Sequence, residues 1–177
     1  GGYLATDPCR VAAVRDSLAS LARGRRLVGL AWTGGSPRTH DRYRRIPLND
    51  WLPVLRQDAC FVSLEYRDAT VEIAEFRRRH GIELLTRSDL TLADDYARTF
   101  ELVAALDLVV TVPTSVLHVA GSLGVPCLVA MHHRAAWREC SRDDRIPWYP
   151  RTHERFVRNP EEMAWEGVIE RVEDRFF

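Results

Sequence analysis

Four stretches of this chain are apolar almost without a break: RLVGLAW at 26–32, ACFVSLEY at 59–66, LDLVVTV at 106–112 and VPCLVAM at 125–131. A strand with one face in water alternates apolar and polar side chains. A run without alternation has no face to spare for solvent. Each is far shorter than the roughly 20 apolar residues of a membrane span, so each reads as a strand covered by protein on both faces.

The segments between these runs carry helical spacing. At 7–23, Asp7 caps, Pro8 fits the first turn, and Val11, Val14, Leu18 and Leu21 form an apolar stripe. A short helix is expected at 47–56, with Trp51, Leu52, Val54 and Leu55 as its apolar positions. An amphipathic helix is expected at 69–80, with Val71, Ile73, Ala74 and Phe76 inward and Gly81 as its stop. IELLT at 82–86 is a short strand, and a helix follows in the stretch ending FELVAAL. Residues 114–123 form a helix closed by Gly124, and ERFVR at 154–158 is a last strand. Asn159 is expected to cap a final helix, with Pro160 in its first turn and Glu161 and Glu162 at its positive end.

Strand and helix therefore alternate, and the class is α/β: a Rossmann-like parallel sheet with helices on both faces, read as one domain over 1–177. Right-handed crossovers bring the carboxyl ends of all such strands to one edge, where ligands bind.

Charge narrows the ligand. Lys+Arg total 25 and Asp+Glu 25, a formal net charge of zero, which argues against nucleic acid or an anionic membrane as a partner. Every basic residue is Arg, the side chain that suits bidentate phosphate contacts; a GC-rich genome also accounts for such a bias. The four cysteines, Cys9, Cys60, Cys127 and Cys140, form no CxxC pair and no zinc spacing. Cys60 and Cys127 read as small buried thiols, and a reducing, cytoplasmic compartment is expected. No secretory leader pattern opens the chain. The native protein is expected to extend upstream of Gly1.

Two loops at the expected ligand edge carry anion-binding groups. In PTSVLH, Thr114 and Ser115 fall at the cap and first turn of a helix, where free backbone amides and the helix dipole attract an anion. His118 lies four residues beyond Thr114, on the same helical face. The plainer alternative is that Thr114 or Ser115 simply caps the helix and His118 packs on the sheet. In TGG, Gly34 and Gly35 after Thr33 allow close backbone approach or positive φ, as an ordinary turn also would. HDRYRR contributes Arg42, Arg44 and Arg45, either to a ligand or to a solvated loop.

Glu65, just past a strand, offers its carboxylate to a ribose or sugar hydroxyl, or stands exposed. His132 and His133 lack a third ligand spaced to complete a metal site, so no metal is expected. Trp137, Trp148 and Tyr149 clamp an irregular segment by packing, with base stacking as the alternative. No nucleophile elbow, triad or flanking pair of carboxylates is present, so no catalytic residue is assigned.

Taken together, RLVGLAWTGG, HDRYRRIPLNDWLPVL, FVSLE, ALDLVVTVPTSVLHVAGSLGVPCLVAM and WRECSRDDRIPWYPR resemble, in that order, the C-terminal half of GT-B glycosyltransferases. The nearest type is the bacterial heptosyltransferase-like kind often fused to tetratricopeptide repeats. The likeness runs from about Asp7 to Val172. It implies one half of a two-domain fold, with helix 7–23 as the inter-domain connection, a nucleotide-diphosphate sugar as donor and no metal or other cofactor. On this chain the implied donor site is Thr33, Gly34 and Gly35, then Arg44, then Thr114, Ser115 and His118. Arg44 and the helix amides would neutralise a diphosphate leaving group.

The family's N-terminal domain, which supplies acceptor contacts and often the base, is not in this chain, so the chain alone is expected to be inactive. Two positions depart from the pattern. Pro113 stands where the family has a sugar-contacting Asp, and the loop reads TGGSP in place of SGNP. The alternatives are a degenerate, non-catalytic module of a repeat-protein scaffold, which Pro113 favours, and half of a nucleotide-sugar epimerase.

Overall fold

Strand and helix alternate from Pro8 to Asp174, as the apolar runs require. The computed structural model describes residues 2–35, 43–91, 95–134, 145–149, 153–161 and 164–176. The elements are α1 (Pro8–Ala22), β1 (Arg26–Ala31), a 3-10 turn (Leu48–Trp51) running into the short α2 (Leu52–Leu55), β2 (Ala59–Ser63), α3 (Thr70–His80), β3 (Leu84–Leu85), α4 (Tyr96–Ala104), β4 (Leu108–Thr111), α5 (Ser115–Leu123), β5 (Cys127–His132), β6 (His153–Arg158) and α6 (Glu166–Asp174). Arg42, Trp137, Cys140 and Glu162, singled out above, lie outside the described residues.

The strands form one six-stranded sheet in the order β3-β2-β1-β4-β5-β6. Every neighbouring pair is parallel. Residues within each central strand divide between two cores. On one face Leu27, Val62, Val109 and Val129 meet Val14, Leu18, Leu102 and Leu117 from α1, α4 and α5. On the other, Val28, Leu30, Val110 and Ala130 meet Val54, Phe76, Val168 and Val172 from α2, α3 and α6. The unbroken apolarity of the strands is this double burial.

α1 starts as expected: Asp7 Oδ1 accepts the Cys9 N–H at 2.9 Å, and Pro8 occupies the first turn. A buttress at the opposite edge of the sheet from the candidate site joins α1 to two strands. Arg15 donates to the Ala105 carbonyl at 2.7 Å and to Asp107 Oδ1 at 2.7 Å, while Asp107 Oδ2 accepts the Leu27 N–H at 2.8 Å. Burial opposes the charge on Asp107, but the Leu27 and Arg15 bonds outweigh it and hold its pKa below the ordinary value.

Four local expectations are corrected. In α1 it is Ala22 that enters the core, while Leu21 is 52% exposed. The α1 stripe therefore turns one residue later than the spacing suggested. In α3 only Ile73 and Phe76 pack inward; Val71 is 72% exposed and Ala74 is also exposed. Ala69, Ile73 and Phe76 make one stripe at helical spacing, and positions 71 and 74 fall on the opposite side of it. The final helix begins at Glu166 after the buried Trp165, and Pro160–Glu161 make a turn instead of its start. Its register is set by Val168, Ile169 and Val172, which must meet the sheet, and this outweighs the capping pattern at Asn159. Trp148 is 60% exposed, too open to clamp the segment by packing, whereas Tyr149 is buried.

The α1 register gives a direct test. Leu18→Ala should cost about 2–5 kcal/mol in urea unfolding, as for a fully buried leucine. Leu21→Ala should stay within roughly 0.5 kcal/mol of the parent. Equal losses would mean that α1 packs on another face.

Candidate functional site

β1 and β4 lie side by side at the centre of the sheet. The chain leaves β1 toward β2 on one flank and β4 toward β5 on the other. Their carboxyl ends thus open a crevice, the place where ligands bind in sheets of this order. The two loops predicted to bind an anion both emerge there, and they touch. A Cβ on Gly34 would lie 2.6 Å from the Pro113 carbonyl oxygen and 3.0 Å from Thr114 Cβ. Only glycine lets these backbones approach so closely. Gly35 follows with φ +79°, a left-handed turn that re-aims the chain.

Glu65 has a different task from the one expected. It is buried, and its carboxylate is consumed inside the protein. Oε1 accepts the N–H groups of Trp32 at 2.8 Å and Thr33 at 2.9 Å. Oε2 accepts the Thr33 hydroxyl and pairs with Arg67 Nε at 2.9 Å. An ionised carboxylate has about four acceptor positions, and these four donors occupy them. The open carboxylate expected at the end of β2 is instead the brace that shapes the loop after β1. Arg67 extends the brace to Glu72 of α3 at 2.6 Å. Arg67 went unremarked in the sequence; a lone Glu at the end of an apolar strand, two residues from an Arg, was its only signal.

Beyond Gly35 the chain returns alongside the same loop. Thr33 and Arg45 form an antiparallel bridge, and the Ile46 N–H donates to the Trp32 carbonyl at 3.0 Å. This carries Arg44 and Arg45 to the edge, and neither guanidinium has a hydrogen-bond or ion-pair partner among the described residues. Tyr43 fastens the return to the end of β5. Its ring lies 4.4 Å from the His132 ring, and its hydroxyl accepts from Arg134 Nη1 at 3.2 Å. The Arg134 backbone N–H donates to His132 Nδ1 at 3.1 Å. Burial, with Arg158, His133 and Arg134 nearby, lowers the His132 pKa to about 4, so the ring is neutral at pH 7.

At the head of α5, Thr114 is extended (φ −145°, ψ 175°) and its side chain makes no capping bond. Ser115, the first residue of α5, is exposed. His118, one turn on, has Nδ1 at 3.3 Å from the Tyr149 hydroxyl. Thr33, Gly34, Gly35, Arg44, Thr114 and Ser115 thus share one edge, with His118 one helical turn behind. A cavity of about 300 Å³ adjoins the brace and is lined by Ser63, Glu65, Arg67, Thr70, Thr86 and Arg87. Among the described residues, no three His, Cys, Asp or Glu side chains gather to hold a metal. No helix among them is long and apolar enough to cross a membrane.

The geometry defines a Rossmann-like sheet with a polar crevice at its switch point, and solved glycosyltransferases share that fold. A glycosyl transferase family 9 protein from Veillonella parvula matches with a TM-score of 0.60 and 12% identity over 88% of this chain and 42% of its own. ADP-heptose LPS heptosyltransferase II of E. coli matches with a TM-score of 0.61 and 13% identity over 97% of this chain and 52% of its own. The chain therefore has a glycosyltransferase-like fold, corresponding to about half of each of those chains. In sequence it is 29% identical over 171 residues to Protein FlbA of Caulobacter vibrioides, covering 96% of this chain and 28% of FlbA. The chain thus spans less than a third of that relative. No protein-family model matches it.

Two outcomes test the site's construction. Glu65→Gln replaces an acceptor with a donor facing N–H groups and removes the charge paired with Arg67. It should cost on the order of 1–3 kcal/mol in chemical denaturation, and an unchanged midpoint would refute the brace. His132 stays neutral in the fold down to about pH 4, whereas the unfolded chain takes up that proton below about 6.5. Stability should therefore fall as pH drops through that window, and His132→Gln should flatten the fall. Parallel curves for the two proteins would contradict the burial of His132.

Proposed function

We propose that this chain is the donor-binding part of a glycosyltransferase and cradles the diphosphate of a nucleotide sugar. The observation that carries the reading is the approach of Gly34 to Pro113 and Thr114, which joins two anion-binding loops into one crevice. Around it, Arg44 supplies uncommitted charge, and the first turn of α5 supplies N–H groups without helical partners. The fold likeness to two glycosyltransferases points the same way.

In this reading the amides of the 33–35 loop and of the α5 head face the diphosphate. Arg44 neutralises charge as the glycosidic bond to the leaving group breaks. The nucleoside takes the cavity beside the Glu65–Arg67 brace. Neither a metal nor another cofactor is required. Acceptor contacts and the base come from a second domain or a repeat domain outside this chain. The compartment is the cytoplasm, where nucleotide sugars are made.

Pro113 is the observation that favours a second reading, a non-catalytic module of a scaffold. It offers no carboxylate where the family places one, so the sugar must be held by other groups or is not held. Pro113→Asp in the full-length protein separates the two: a gain in transfer supports a weakened enzyme, and no transfer by either protein supports the scaffold.

Titration calorimetry with UDP, ADP and GDP tests the main reading. At least one should bind, and Arg44→Ala should weaken that binding by about tenfold, the worth of one charge-assisted contact. No binding of any of the three at millimolar concentration would overturn it.

A further inference from the structure

The second half of α5 is held in an unusual way. Tyr149 is buried, and its ring lies so close to Gly121 that a Cβ there would come within 2.3 Å of it. On the same helix the His153 Nε2–H donates to the Leu117 carbonyl at 2.9 Å, with the His153 ring 4.8 Å from that of Tyr149. The Tyr149 hydroxyl lies 3.3 Å from His118 Nδ1 and 3.3 Å from the Tyr3 hydroxyl. Tyr3 is itself fixed, because its backbone N–H donates to the Ser122 carbonyl at 2.8 Å. Three polar groups thus stand in line, from the segment ahead of α1 to the candidate site.

We infer that Tyr149 is a positioning residue for His118: its hydroxyl, aligned by Tyr3, donates to Nδ1 and keeps the imidazole N–H on Nε2. The partner of one ring nitrogen decides which nitrogen carries the proton. A hydroxyl both donates and accepts, so a line running from Tyr3 through Tyr149 to His118 gives each oxygen in the relay a defined role and strengthens each bond. The Nε2–H form is the neutral tautomer that donates from the ring nitrogen opposite Tyr149, the kind of donor an anion at the head of α5 needs. Gly121 is then required by the ring that delivers the hydroxyl. The use of that donor rests on the diphosphate reading above; the tautomer itself does not.

The test uses Tyr149→Phe, which keeps the ring on Gly121 and removes only the hydroxyl, with Tyr3→Phe as a milder variant. Imidazole ¹⁵N shifts of His118 should show the Nε2–H tautomer in the parent and a larger Nδ1–H population in both variants. Nucleoside diphosphate affinity should fall about fivefold in Tyr149→Phe, the worth of one hydrogen bond, while the thermal midpoint moves little. In a His118→Ala background, Tyr149→Phe should cause no further loss. An Nδ1–H tautomer in the parent, unaltered shifts in both variants, or an additive loss in the double variant would overturn the inference. Altered shifts with no nucleotide binding by the parent would uphold the positioning role and sink the diphosphate reading.

Discussion

Strands that are apolar on both faces must be covered on both faces, and this requirement organises the whole molecule. Covering each side takes helices, so each strand must be followed by a crossover long enough to contain one. The crossovers make every pair parallel and send all six carboxyl ends to one edge. With β1 and β4 adjacent, the chain departs from them in opposite directions, and the crevice between their ends is a consequence of strand order. The buttress of Arg15, Asp107 and Leu27 ties α1 to β1 and β4 at the opposite edge.

At the open edge the dominant constraint is the burial of charge. A carboxylate in the position of Glu65 is tolerable only when its acceptor positions are filled. Trp32, Thr33 and Arg67 fill them, and in doing so they shape the loop that leads to Gly34. Gly34 then meets Pro113, and the Tyr43–His132–Arg134 cluster holds the returning segment. The groups free to meet a ligand, Arg44 and the head of α5, are therefore presented by a frame whose own polar atoms are largely spoken for.

Much of the fold was legible because burial leaves a periodic trace. The apolar runs foretold the four long inner strands, and Gly81 and Gly124 marked helix ends that the structure confirms as left-handed. What failed was local. Leu21, Val71 and Asn159 satisfied helix patterns, but each helix takes its rotation and start from the side chains that reach the sheet. The site was legible in part. TGG and PTS announced themselves as turns, and their contact followed from topology. Arg67, Tyr43 and Tyr149 were not legible as site builders, because Arg and Tyr are common on any surface and their partners lie far away in the chain.

The sequence by itself determined the fold class and the edge to which the strands' carboxyl ends run, since unbroken apolar strands admit few topologies. It also placed glycine and hydroxyl side chains in the loops of that edge. Only the tertiary structure decided what each polar group does there. Glu65 became an internal brace, and Tyr149 came to stand between Tyr3 and His118 across intervals of 146 and 31 residues. The physical reason is that hydrophobic burial is nearly additive along a chain, whereas a hydrogen bond depends on an orientation that only the folded state supplies.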